Sequence, residues 1–268
     1  MARLAKVYLG TNTKMNKTIR ETQAFLQALD AATADLDRAA LELFVIPAYT
    51  ALYHARSAAP RERIKIGAQN MCWEEQGQYT GEISPLMLAE IGIDVVMIGH
   101  SERRHIFDET DAQENWKVLA ALRHGFTALL CIGETLAQKE SGIADETLRT
   151  QLILGLQNVT ADMAQKLWIA YEPVWAIGEN GTPASEAYAD AKHAVIKQCL
   201  RELFGAAGLD IPVLYGGSVK PENAVALISQ TNIDGLFIGR SAWEAARFNQ
   251  LIRTVLPAFK LKRSRMEP

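Results

Sequence analysis

Cysteine is scarce in this chain: Cys72, Cys131 and Cys199 are the only three among 268 residues, and they form no C-x-x-C pair. That usage fits neither a disulfide framework nor a cysteine-built zinc site, and suits reduced thiols in the cytoplasm. Long apolar runs are missing too. None approaches the roughly 20 residues needed to cross a bilayer, so no membrane partner is expected. The first residues, Met1-Ala2-Arg3-Leu4-Ala5-Lys6, lack the apolar core of a signal peptide. Positive charge is not in excess: the net charge of -3 argues against nucleic acid as a partner. The basic residues Lys260, Lys262, Arg263 and Arg265 read as a short solvated tail. No linker, composition break or low-complexity stretch divides the chain, so residues 1–268 read as one domain ending in that tail.

Hydrophobic residues make up 49% and charged residues 22%, the balance of a globular protein with a large core. Short apolar runs at 5–9, 43–46, 64–68, 95–98, 128–132, 167–171, 213–215 and 236–238 read as buried strands. Helical patterns fall between them at 19–29, 85–90, 115–124, 145–156, 185–203 and 222–228. Ser185 ahead of Glu186 is a helix cap, and Pro221 suits a first turn. Strands alternating with helices imply parallel pairing. Eight such units, in a chain close to the barrel's typical size of about 250 residues, predict a closed α/β barrel of the (β/α)8 type.

Chemistry in such a barrel collects at the carboxyl ends of the strands. Glu172 ends the 167–171 run, and Pro173 stops that strand. Alone, it could be a carboxylate that merely caps a turn or faces water. Lys14 follows the first strand, where a cation could meet an anionic ligand; a surface lysine is the plainer reading. Past the third strand come Gln69-Asn70 and then the loop 77–82, Gly-Gln-Tyr-Thr-Gly-Glu, whose length marks it as functional or as an interface. His100 ends the fourth strand, and Ser101 could open a helix whose positive N-terminal end favours a neutral imidazole. Such an imidazole can donate a hydrogen bond to a carbonyl oxygen. His54, His105, His124 and His193 have no comparable setting and read as core or surface residues. The last two strands end in Gly216-Gly217-Ser218 and Gly239-Arg240-Ser241, bare backbone suited to an anion. Loops after strands seven and eight commonly hold phosphate in this architecture. Either glycine pair alone could equally serve a tight turn.

Five segments together carry a resemblance. Thr11-Asn12-Thr13-Lys14-Met15-Asn16, Gly99-His100-Ser101-Glu102-Arg103-Arg104, Leu130-Cys131-Ile132-Gly133-Glu134, Ala170-Tyr171-Glu172-Pro173-Val174-Trp175-Ala176-Ile177-Gly178 and Tyr215-Gly216-Gly217-Ser218-Val219 resemble the triosephosphate isomerases, in the same order and over nearly the whole chain. The resemblance implies a TIM barrel in which Glu172 is the base, His100 a neutral electrophile and Lys14 the cation facing the substrate's charge. It makes Asn12 an orienting group, Glu102 a support, and Gly178, Ser218, Gly239 and Arg240 the phosphate-binding positions. Residues 173–184 would form a lid, and the loop 77–82 would join a homodimer. Isomerisation needs a base to move a carbon-bound proton and donors where enediolate charge develops, and calls for no metal or organic cofactor.

Three positions depart from the family pattern. Thr13 replaces a tryptophan beside Lys14, which would leave extra room near the site. Gly178 is followed by Glu179-Asn180-Gly181-Thr182-Pro183, and Arg240 replaces a second glycine. The altered lid and the ending Ile238-Gly239-Arg240-Ser241-Ala242-Trp243 resemble the branch that acts on four-carbon tetrulose phosphates of the L-erythrulose 1-phosphate type, in erythritol-type catabolism. The expected partner is thus a phosphorylated three- or four-carbon sugar. The alternatives are the glycolytic interconversion of glyceraldehyde 3-phosphate and dihydroxyacetone phosphate, another phosphate-binding barrel enzyme, or a barrel that binds phosphate without catalysis. Loss of Glu172, His100 or Lys14 would mark the last, and all three are present.

Overall fold

The strand runs are apolar on both faces, as in a sheet covered by helices outside and by its own side chains inside. The computed structural model describes residues 5–178 and 181–265. Its first half runs β1 (Val7–Asn12), α1 (Ile19–Ala32), β2 (Leu41–Ile46), α2 (Leu52–Ala58), β3 (Lys65–Ala68), α3 (Pro85–Ile91), β4 (Val95–Ile98), α4 (Ser101–Ile106) and α5 (Asp111–Arg123). The second half continues with β5 (Thr127–Ile132), α6 (Leu136–Glu140), α7 (Ala144–Gly155), β6 (Leu167–Tyr171), α8 (Glu186–Phe204), β7 (Val213–Tyr215), α9 (Pro221–Ile228), β8 (Gly235–Ile238) and α10 (Ala245–Ser264). The eight strands pair in chain order, all parallel, and β1 closes onto β8. This is the expected closed (β/α)8 barrel.

Alternation along each strand divides the core into two layers. Phe44 and Ile46 of β2 point inward with Met97, Leu129, Trp168, Leu214 and Phe237, while Leu43 and Val45 point out toward the helices. Phe44 fills the barrel interior, its ring 5.4 Å from that of Trp168 and 5.6 Å from that of Phe237. Caps fix several helix starts: Thr18 with Glu21, Thr110 with Gln113 and Thr135 with Gln138 form reciprocal pairs, and Ser185 caps α8 as predicted. Thr110 also explains why α5 begins at Asp111 and not near 115.

Two further features differ from the sequence reading. β1 is not the 5–9 run but extends to Asn12, which lengthens the strand toward the site. The basic residues near 260 form no separate tail, although Lys260 and Arg265 are exposed. They lie in or just past α10, whose apolar face Phe248, Leu251, Ile252, Val255, Leu256 and Phe259 packs on the barrel. Lys262 is buried and donates to the carbonyls of Gln230 (3.0 Å) and Ile233 (2.6 Å). Pro257, inside the helix, hides the pattern from a reading that takes proline as a stop. Among the described residues no helix is long and apolar enough to cross a membrane.

Candidate active site

Glu172 is fixed by its backbone before its side chain is considered. Its N–H donates to the carbonyl of Ile132 at 2.7 Å, and Pro173 follows. A Cβ on Gly133 would stand 1.9 Å from the carbonyl oxygen of Glu172, and one on Gly216 2.8 Å from its Cγ. Only glycine therefore lets the β5 and β7 ends close on this residue. The carboxylate is 4% exposed, and its Oε2 has no hydrogen-bond partner. A buried carboxylate oxygen without a donor is costly, and this one belongs to a residue that lines the cavity. Beneath it lies Cys131, whose thiol is held well above its ordinary range by burial and then by the Glu172 charge. Cys131 is thus a neutral packing group and no nucleophile.

His100 caps α4. Its Nδ1 accepts the backbone N–H of Glu102 at 3.2 Å, which leaves Nε2 as the ring nitrogen placed to donate. That nitrogen faces the cavity, 3.7 Å from Glu172 Oε1. Lys14 reaches the same space by a strained route. Its backbone is left-handed (φ 51°), a conformation that costs a non-glycine residue on the order of 1–3 kcal/mol. Two bonds hold it: its N–H donates to Asn12 Oδ1 at 2.8 Å, and Gln69 Nε2 donates to its carbonyl at 2.7 Å. Its ammonium pairs with Glu102 Oε1 at 2.7 Å. Glu102 thereby stands between Lys14 and His100.

Behind His100, Arg104 donates to the carbonyls of Gly99 (2.8 Å) and Cys131 (2.9 Å) and pairs with Asp111 (2.7 Å) and, in a close contact, with Glu114. Glu114 is fully buried, and that burial outweighs Arg104 in pushing its carboxyl up to about 8.

All nine predicted site residues line one cavity of about 520 Å³: Glu172, His100, Lys14, Asn12 and Glu102 at one end, Gly178, Ser218, Gly239 and Arg240 at the other. Sequence reasoning gave no site role to Lys220 and Trp243, which line it too. It also assigned no role to Glu134. That buried carboxylate accepts three donors on Oε1: Tyr171 (3.1 Å), Trp175 (2.9 Å) and Tyr188 (2.9 Å). Burial and then the Glu134 charge raise both tyrosine hydroxyls far above their usual range, so both remain donors. Lys139 sits 3.5 Å over the Trp175 ring, a cation–π contact at the start of the expected lid. Its tip residues, Glu179 and Asn180, lie outside the described residues.

Thr13 does not open the cavity directly. It is fully buried and outside the lining; its N–H bonds to the Ile46 carbonyl at 3.1 Å and its hydroxyl to that of Asn16 at 3.4 Å. Four histidines outside the cavity are explained otherwise. His193 is core, packed on Tyr171 and Tyr215, while His54, His105 and His124 sit toward the surface. Among the described residues no three His, Cys, Asp or Glu side chains stand close enough to hold a metal ion.

Residues 7–255 match the sequence model of the family described as triosephosphate isomerase. A closed barrel with this match is a sugar-phosphate isomerase, an enzyme of phosphorylated sugars. The chain belongs to the triosephosphate isomerase family. It is 47% identical over 254 residues to an L-erythrulose-1-phosphate isomerase of Rhizobium etli, covering 94% of this chain and 93% of that one. A protein of the same name from Mesorhizobium japonicum is 49% identical over 239 residues, covering 89% and 92%. Among solved structures, triosephosphate isomerase from Bartonella henselae superposes with a TM-score of 0.82 at 37% identity, over 92% of this chain and 97% of that one.

Proposed function

We propose that this enzyme isomerises a four-carbon ketose phosphate of the L-erythrulose 1-phosphate type. The observation that carries the reading is the identity of 46–49% to relatives of that name across about nine-tenths of the chain or more. The triosephosphate isomerase structure stands at 37%.

The chemistry follows from the substrate and the cavity. In a ketose 1-phosphate the carbonyl is at C2, and C1 carries an ester oxygen that cannot become a carbonyl. The proton must therefore leave C3, and the product is the ketose with its carbonyl at C3. Numbered from its other end, that product is a 4-phosphate. Glu172 removes the C3 proton and returns it to C2, while the hydroxyl proton on O3 passes to O2, so that C2 is reduced and C3 oxidised with no external electron carrier. His100 Nε2–H donates to the oxygen on which enediolate charge develops, and the Lys14 ammonium stabilises that charge. Asn12 acts through its oxygen, which holds the Lys14 backbone. Backbone N–H groups around Ser218 and Gly239 bind the phosphate, with Gly178 on the lid. Closing residues 173–184 over the cavity keeps water from an intermediate that could otherwise expel phosphate.

Turnover on L-erythrulose 1-phosphate and on glyceraldehyde 3-phosphate tests the reading. We expect kcat/KM on the four-carbon substrate to be higher by at least about tenfold, roughly 1.4 kcal/mol. Equal or better efficiency on the triose would return the chain to the glycolytic reaction.

We further read the enzyme as a homodimer of the cytoplasm, joined through the loop 77–82. Tyr79 in that loop is 43% exposed, Met87 just beyond it 52% and Met15 beside Lys14 96%, an apolar set that a second copy would cover. Three buried free cysteines suit a reducing compartment. Sedimentation of a monomer at micromolar concentration would overturn the dimer.

A further inference from the structure

Beyond Thr11 and Ile238 the backbone ladder between β1 and β8 ends. The next connection between those strand ends is made by a side chain. Trp243 Nε1–H donates to the carbonyl of Asn12 at 2.9 Å, across 231 positions of sequence. Trp243 ends the short turn Arg240–Ala242 and itself lines the cavity. Its contact falls on the residue that carries Lys14. Asn12 Oδ1 holds the Lys14 N–H, and Gln69 Nε2 reaches both Asn12 Oδ1 (3.0 Å) and the Lys14 carbonyl. A left-handed lysine keeps its conformation only while its surroundings enforce it. The middle of the same turn reaches the loop after β7, where Ser241 Oγ–H donates to the Val219 carbonyl at 3.0 Å.

We propose that Trp243 is a positioning residue for Lys14. Its indole N–H fixes the Asn12 carbonyl, and so sets the Lys14 ammonium relative to the loops that hold the phosphate. The turn 240–243 acts as a crosspiece between the two ends of the substrate. This inference rests on the reading of Lys14 as the cation that faces the developing charge, and is independent of whether the sugar has three or four carbons.

Trp243→Phe keeps an aromatic ring and deletes the N–H. Losing one hydrogen bond's worth of placement should lower kcat about three- to tenfold on whichever sugar phosphate turns over faster. KM and the inhibition constant of inorganic phosphate should stay within about twofold, because the phosphate loops keep their own contacts. In a Lys14→Ala background the same substitution should have no further effect, since residues acting as one unit do not add. Unchanged kcat in Trp243→Phe overturns the proposal. So does a parallel weakening of phosphate inhibition, which would mark general loosening of the site, or a full additional loss in the Lys14→Ala background. Should the phenylalanine variant be insoluble, Trp243→Tyr removes the same N–H and is read by the same criteria. The reading of Lys14 fails separately, if Lys14→Ala alone turns over normally.

Discussion

His100 Nε2 and Glu172 Oε1 face each other across 3.7 Å, too far for a good hydrogen bond and close enough to share one substrate. Each is left to act on a ligand atom: the imidazole as donor to an oxygen, the carboxylate as acceptor of a proton from the neighbouring carbon. Glu172→Gln keeps the size and removes the base. Its kcat should fall by about 10²–10⁴-fold while KM changes far less. Near-normal turnover in that variant would take Glu172 out of the base role.

An anion should bind between the loops after β7 and β8. Gly217, Ser218 and Gly239 line that end of the cavity together with Lys220 and Arg240. A crystal soaked in sulfate should show density beside Ser218, and inorganic phosphate should inhibit competitively. An open site that stays empty at high sulfate would count against this assignment.

Glu114 gives the fold a pH dependence of its own. Its folded-state value is raised from 4.5 to about 8, so the folded protein binds this proton more tightly than the unfolded chain. The corresponding stabilisation is fully present below about pH 4.5 and is lost as the pH rises toward 8. Glu114→Gln keeps a neutral side chain at every pH. Relative to the parent, its Tm should rise between pH 5 and pH 9 by at least about 2 °C. A Tm difference that does not vary with pH would mean that Glu114 stays ionised beside Arg104.

Lys262 tests whether the end of α10 is part of the fold. Lys262→Ala removes the donor to the Gln230 and Ile233 carbonyls and leaves them buried, which should cost about 1–3 kcal/mol. Denaturant unfolding measures it. An unchanged midpoint would restore the picture of a solvated tail.

The barrel was legible in the sequence because its strands are apolar on both faces and its helices are punctuated by caps such as Ser185. The site was legible because its groups sit at or just past strand ends, Glu172 beside a proline, His100 between a glycine and a helix start, and Ser218 beside a glycine. What stayed hidden depends on side chains meeting across long stretches of chain. Nothing local to Trp243 points to Asn12. Nothing near Glu134 announces that Tyr171, Trp175 and Tyr188 converge on one of its oxygens. Thr13 misled in the other direction. Its small side chain suggested space in the cavity, yet it is buried against the Asn16 backbone outside the lining.

Gly133 and Gly216 have a consequence for how such an enzyme can change. Any replacement at either position adds a carbon that would press on the Glu172 carbonyl or on its side chain. Neither site therefore offers a mutational route toward a new sugar, because the first step along it disturbs proton transfer itself. Gly239 borders the same cavity and differs: a carbon added there would meet nothing within 4 Å. Preference for chain length can drift there while the reaction class stays frozen.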